Sequence, residues 1–225
     1  MNRVPSRFFL VAAVLAGVSA VPSMPVLAAP LAPASYAMPN GDGQAHGGTY
    51  NYWDAAYVPA SANNTIDGAS LSGGLGKLTD GVVSTQRWDT VSNSAGTGEY
   101  VGWLWGHTPN PVINFHFAGN VIIDSISIQL DNSGHGGVYA PSAILINGVN
   151  QSFVPPVLGT VGSVIFSGLN LSGKTHSVQF LQASQAWTFV SEISFDGRAE
   201  APEPISLALL GMGLTGIACA RWRRR

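Results

Sequence analysis

From residue 111 to 197 the chain repeats one pattern: apolar, polar, apolar. Ile113, Phe115 and Phe117 alternate with Asn114 and His116. Ile126, Ile128 and Leu130 alternate with Ser127 and Gln129, and Val178 and Phe180 with Ser177 and Gln179. Ile144 and Ile146 keep the same spacing, and Phe189, Ser191, Ile193 and Phe195 close the series. A period of two puts alternate side chains on opposite faces of an extended strand, so one face is buried and the other wet. Gly, Asn and Pro punctuate the runs, and no stretch of the body carries a helical stripe of period 3.6. About eight to ten short strands in one antiparallel domain predict an all-β sandwich or barrel.

The two ends are built differently. Arg3 and Arg7 precede an apolar run over 8–18, and Val26 and Ala28 are small residues suited to cleavage after Ala28. Residues 1–28 therefore read as a secretory signal peptide, a substrate of signal peptidase, and are set aside from the fold. At the other end, Pro202-Glu203-Pro204 breaks any regular element. A sixteen-residue apolar run, 205–220, and then Arg221, Arg223, Arg224 and Arg225 follow. Such a run spans roughly 24 Å as a helix, slightly under a hydrocarbon core of roughly 30 Å. The arginines stay on the cytoplasmic side, so the body lies outside. Taken from these residues alone, the tail is a membrane-anchoring helix. Residues 29–48, rich in Pro, Ala and Gly, read as a flexible leader, 59–76 as loop, 49–199 as the β-domain and 200–225 as the tail.

Charge removes several functions. All twelve acidic residues lie within 29–204, where the only cations are Lys77, Arg87, Lys174 and Arg198, a net charge of −8. Nucleic-acid binding needs clustered Lys and Arg, which this body lacks. The single cysteine, Cys219, sits in the tail, so the exported body has no disulfide and depends on packing.

Catalytic signatures are missing too. There is no G-x-S-x-G elbow, no H-E-x-x-H and no cysteine nucleophile in the body. Gly168-Leu169-Asn170-Leu171-Ser172-Gly173-Lys174-Thr175 fits the letters of a phosphate-binding loop. That loop works only where a helix begins at the lysine, whereas the pattern over 176–180 is that of a strand. Two carboxylates meeting from distant positions would leave a glycan-cleaving enzyme as the alternative.

The tail resembles the PEP-CTERM sorting signal of exported bacterial proteins, on Pro202, Glu203, Pro204, the Leu/Gly/Ala-rich run and the terminal arginines. The resemblance implies recognition and removal by an exosortase in bacteria that make exopolysaccharide. The precursor would be anchored in the inner membrane by its C-terminal helix, and the product delivered to the cell surface or extracellular matrix.

The body resembles the discoidin or galactose-binding-like jelly roll. The pieces, in order, are Leu78-Thr79-Asp80-Gly81 with Thr85 and Trp88, Pro111 to Phe117, Val121 to Leu130, Gly137-Val138-Tyr139-Ala140-Pro141-Ser142, and Ser191-Glu192-Ile193 before Gly197. The resemblance implies a structural calcium ion held by Asp80, Thr85 and Glu192, which suits a hard cation taking oxygen ligands. Asp80 as a simple turn cap is the competing interpretation. It also implies sugar binding by loop aromatics and polar groups at one end, with Trp53, Trp105, His107, His135, Tyr139 and Trp187 as candidates. Trp88 and Trp103 are assigned to the core. The expectation is a non-catalytic, exported protein that binds carbohydrate or exopolysaccharide. A purely structural surface protein, or a small polysaccharide-acting enzyme, stands as the alternative.

Overall fold

The computed structural model describes residues 28–43, 49–58 and 63–200. The expected signal peptide up to residue 27, the Pro-Glu-Pro motif and the expected C-terminal helix fall outside the described residues. Among the described residues no helix is long and apolar enough to cross a membrane.

Among the described residues nine strands form the body: β1 (Ala29–Leu31), β2 (Ser35–Pro39), β3 (Ser70–Gly74), β4 (Val101–Leu104), β5 (Val112–Asn132), β6 (Ala143–Ile146), β7 (Val149–Gln151), β8 (Thr160–Leu181) and β9 (Trp187–Ala199). One path through the sheet runs β1-β9-β5-β8-β6-β7, with β2 on β5 and β3, and β4 on β9. Every ladder between these strands is antiparallel. Among the described residues the one α-helical turn, α1, is Trp88–Val91. The expected all-β antiparallel fold is what the chain forms.

Two runs of alternation that read as separate strands belong to one. In β5 the buried residues are Ile113, Phe115, Phe117, Val121 and Ile123, then Ile126, Ile128 and Leu130. The inward parity changes from odd to even between Ile123 and Ser125, where the ladders to both β8 and β9 slip. One extra residue in a strand swaps its faces unless the strand bulges. Asp124 is that residue, and its carboxylate takes two hydrogen bonds from Arg198 Nη1, at 2.9 and 2.7 Å. β8 likewise joins the segments around Val164 and Val178. It carries Gly168 to Thr175 within the strand, kinked at Gly168 and Asn170 (φ 70° and 49°), so no helix starts at Lys174 and the phosphate-loop pattern is accidental.

The leader and the loop after it need correcting. Residues 29–43 are not a flexible leader: β1 pairs with β9, and β2 inserts Tyr36 and Met38 into the core. Ser35-Tyr36-Ala37-Met38 is itself a period-two run, flanked by Pro33 and Pro39. Within 59–76, β3 buries Leu71 against the same core. The aromatic stretch after residue 49 makes only isolated bridges, Asn51 with Asn93 and Val58 with Leu75.

The principal core gathers Tyr36, Trp103, Phe115, Ile126, Phe180 and Ile193, among others. A second, aromatic cluster of Tyr52, Trp88, Tyr100 and Phe189 caps one end, with Tyr50 and Trp187 packed against it. Both described chain ends lie at the other end. Ala29 is opposite Gly197, Ala199 is opposite Val121, and Glu200 N–H donates to Asn120 O at 2.9 Å.

The long connections are tied down by a buried polar hub. Lys77, 3 % exposed, donates from Nζ to the carbonyls of Trp53 (2.6 Å), Gly96 (2.5 Å) and Tyr100 (3.2 Å). An ammonium has three donors and no acceptor, so three carbonyls satisfy it. Asp54 beside it accepts from Lys77 N–H at 3.0 Å and from the Tyr36 hydroxyl. Its own N–H goes to Asn40 Oδ1 at 2.8 Å. Burial pushes the Lys77 amine down to about 8, against the pull of Asp54. It pushes the Asp54 carboxyl up, against its bonds from Tyr36 and Lys77. Lys77→Met would keep the stem, strand three carbonyls and leave Asp54 without its cation. We expect a loss of about 3–5 kcal/mol, measured as a lower urea midpoint with the native far-UV circular dichroism retained at zero denaturant.

Candidate carbohydrate-binding loops

The aromatic cap carries two polar groups. The first is set up by Asp131, fully buried at the end of β5. Its Oδ2 accepts from Trp88 N–H at 2.8 Å and its Oδ1 from Ser133 N–H at 2.7 Å. One carboxylate therefore fixes the start of α1 and the start of the 133–139 loop. Trp88 then closes the two together, donating from Nε1 to His135 O at 3.0 Å. Gly136 adopts a positive φ of 63°, and a Cβ there would stand 2.8 Å from the Trp88 ring, so only glycine lets the loop come this close.

This framework presents Arg87, Asp89 and His135 together. Arg87 donates to Asp89 twice, Nε to Oδ1 at 2.6 Å and Nη2 to Oδ2 at 2.8 Å. His135 Nε2 lies 3.4 Å from Asp89 Oδ2. The Arg87 and His135 side chains are 44 % and 52 % exposed. Hydrogen bonds from Arg87 hold the Asp89 carboxyl below the usual carboxylate range. Tyr50 meets the Trp88 ring edge-on with centroids 5.5 Å apart, and the His135 ring lies 5.8 Å from Trp88. Tyr139 stands at the rim, 41 % exposed. Arginine and histidine donors, a carboxylate acceptor and ring faces together suit a polyhydroxylated ring.

The second group is built on Asp42, whose side chain is 3 % exposed. It accepts from Leu104 N–H at 2.7 Å and from Thr108 Oγ1 at 2.6 Å, and pairs with His107 Nδ1 at 2.8 Å. A carboxylate only accepts, so the His107 Nδ1 carries a proton. That bond, with the Asp42 charge, raises the His107 pKa above 6.5.

The candidates from sequence thus fall into different places. His135 and Tyr139 join the Arg87 group, while His107 belongs to the Asp42 group with exposed Trp105 beside it. Trp187 is half-buried against Tyr52 and Phe189, at centroid distances of 5.2 and 5.5 Å. Trp53 is half-buried, with Nε1 donating to Asp67 Oδ1 at 2.6 Å. Trp88 and Trp103 are core, 2 % and 0 % exposed. Sequence reasoning missed Arg87, Asp89 and Asp42; the readable signal was Arg87 and Asp89 two residues apart, either side of a buried tryptophan.

The calcium candidates sit nearer the other end. Asp80 and Glu192 line one recess of about 350 Å3. Each has an oxygen taken by backbone: Asp80 Oδ1 by Val82 N–H at 2.9 Å, and Glu192 Oε2 by Gly81 N–H at 3.0 Å. Burial, helped by the Asp80 charge, pushes the Glu192 carboxyl up to about 7. Thr85 is exposed and is not among the residues lining the recess. Among the described residues no group of three His, Cys, Asp or Glu side chains could hold a metal. The two carboxylates would supply two of the six to eight oxygens a hard cation takes, the rest having to come from backbone or water.

The Asp42–His107 pair has a measurable signature. With its folded pKa raised, His107 adds stability that is complete below its unfolded value of 6.5 and is lost as pH rises through the folded value. An NMR titration of the imidazole should give a midpoint above 6.5, and Asp42→Asn should bring it back down.

Residues 33–146, about half of the chain, match the discoidin domain-containing receptor 1/2, DS-like domain. Residues 200–225 match the PEP-CTERM protein-sorting motif. A search of curated proteins finds no match. Among solved structures, a serum fucolectin of striped bass, Morone saxatilis, is 12 % identical with a TM-score of 0.38. The alignment covers 54 % of this chain and 40 % of that one. A family 32 carbohydrate-binding module from C. perfringens NanJ, solved with galactose, is 13 % identical (TM-score 0.34; 53 % and 82 % covered). A fucose-binding module of Streptococcus pneumoniae is 11 % identical (TM-score 0.36; 55 % and 81 % covered). The chain belongs to the discoidin DS-like domain family and ends in a PEP-CTERM sorting motif.

Proposed function

We propose that this is an exported, non-catalytic protein that binds carbohydrate through the loop end of its β-domain and reaches the cell surface or matrix by exosortase processing of its tail. The observation that carries the binding reading is the Arg87–Asp89–His135 group, held in place by buried Asp131 and Trp88 and set among Tyr50 and Tyr139. Arg87 and His135 donate to sugar hydroxyls, Asp89 accepts, and the ring faces cover the apolar side of the sugar. The groups are fixed before the ligand arrives, so little ordering is needed on binding. The PEP-CTERM match supports handling by an exosortase and, before it, passage through the inner membrane with signal-peptide removal. The host's own exopolysaccharide is the natural ligand class for a protein sorted this way.

On a glycan array, the full chain should bind a subset of sugars. Arg87→Ala should weaken the strongest by roughly ten- to a hundredfold, the worth of a charged hydrogen bond, with thermal stability unchanged. Binding to no glycan, or full binding by Arg87→Ala, would remove this reading.

A structural calcium ion at Asp80 and Glu192, completed by backbone and water oxygens and without the expected Thr85, is the cofactor we assign. It would join the turn after β3 to β9 in a body without disulfides. Added calcium should raise the melting temperature above that in chelator, and Glu192→Gln should abolish the difference. Equal melting in both would leave Asp80 as a turn cap.

A further inference from the structure

The two polar groups are not scattered around the loop end but lie on opposite sides of one strand. Trp105 N–H donates to Ala186 O at 3.0 Å, and Tyr139 N–H donates to Trp187 O at 3.0 Å. Successive carbonyls of a strand point to opposite edges, so the 104–105 and 138–139 segments flank 186–187 from its two sides. The pairing of Leu104 with Trp187 in one ladder and of Val138 with Trp187 in an isolated bridge agrees. Neighbouring extended segments lie about 4.8 Å apart, which separates Trp105 from Tyr139 by about 10 Å. Both are exposed, 39 % and 41 %, and, each one residue on from a partner of Trp187, they share the face opposite to the Trp187 ring.

Past Trp105, the His107 ring is also held in an unusual way. A carboxylate 3 % exposed fixes a ring that is 55 % exposed. Asp42 has already tied the loop through Leu104 N–H and Thr108 Oγ1, so closing the turn does not require the imidazole. The result is a rigid polar tip beside an uncovered indole. Gly106, between them, has open space where a side chain would stand.

We propose that Trp105 and His107 form a second sugar subsite, continuous through Tyr139 with the Arg87–Asp89–His135 site, so that the protein grips an internal stretch of a polysaccharide chain rather than a single terminal sugar. The inference rests on the carbohydrate-binding reading above and specifies its ligand as a run of linked pyranose units. One unit sits at Arg87 and His135, the chain crosses the ring faces, and a later unit stacks on Trp105 with its hydroxyl at His107 Nε2. Binding along a chain also suits a matrix role, because a polymer has many internal stretches and few ends.

The test uses the full chain against an array of defined oligosaccharides graded from one to six units, followed by titration of the best series. Affinity should climb at least tenfold from the single sugar to the three- or four-unit chain and then level off. Trp105→Ala should reduce the longer chain to the affinity of the single sugar, His107→Gln should reduce it in the same direction, and Arg87→Ala should weaken every length. A flat length series, or a length gain untouched by Trp105→Ala and His107→Gln, would overturn the second subsite and leave the first standing. Insensitivity to Arg87→Ala, or no binding at any length, would overturn both.

Discussion

A single ammonium organises the connections of this protein. Lys77 sits where the turn after β3 begins, and its three carbonyl partners come from two other stretches of chain, at Trp53 and at Gly96 and Tyr100. Its own backbone N–H is held by Asp54, which is tied in turn to Tyr36 of β2 and to Asn40. Secreted domains commonly fasten such loops with disulfides. This body has no cysteine, and the hub performs the same service by satisfying buried donors and acceptors on converging segments. A buried charge is costly in itself and stabilises only when fully partnered, which gives the hub an all-or-none character.

Rigidity at the loop end follows the same logic. Asp131 and Asp42 are buried carboxylates that take no ligand in our reading; Asp131 spends its oxygens on two backbone N–H groups, and Asp42 on a backbone N–H and two side chains. Their work is to hold an exposed partner in place, His107 directly and the Arg87 group through Trp88. Loops that would otherwise be the mobile part of a β-sandwich are anchored at their roots, and only their tips are offered to solvent.

Much of the fold was legible from its period of two, because a strand with one buried face leaves that pattern in the sequence. The discoidin resemblance and the tail motif were legible for a similar reason, as local patterns in fixed order. The strand count was obscured where parity changed: the slip at Asp124 reads as a strand end but is a bulge inside β5. Tyr36 and Met38 were hidden by the prolines around them, and Leu71 by the serines and glycines of its neighbourhood. For the candidate site, His135 and Tyr139 were legible as a histidine in a glycine-rich loop and an aromatic just past it. His107 was legible as a polar group beside an aromatic, but its pairing with Asp42 was not, since 65 residues separate them and no local pattern records that they meet.

The placement of the chain ends has a mechanical meaning. β9 starts among the proposed binding loops at Trp187 and finishes at Ala199, beside the other described end of the chain, some 40 Å away at a strand's rise per residue. A load applied between a gripped polymer and the C-terminal side runs lengthwise along this strand. The antiparallel ladder bonds to β5 lie across that direction and share the load together, so the domain is pulled in shear and not unzipped one rung at a time. A module built this way is a tension-bearing link, strongest along the line joining what it holds to what holds it.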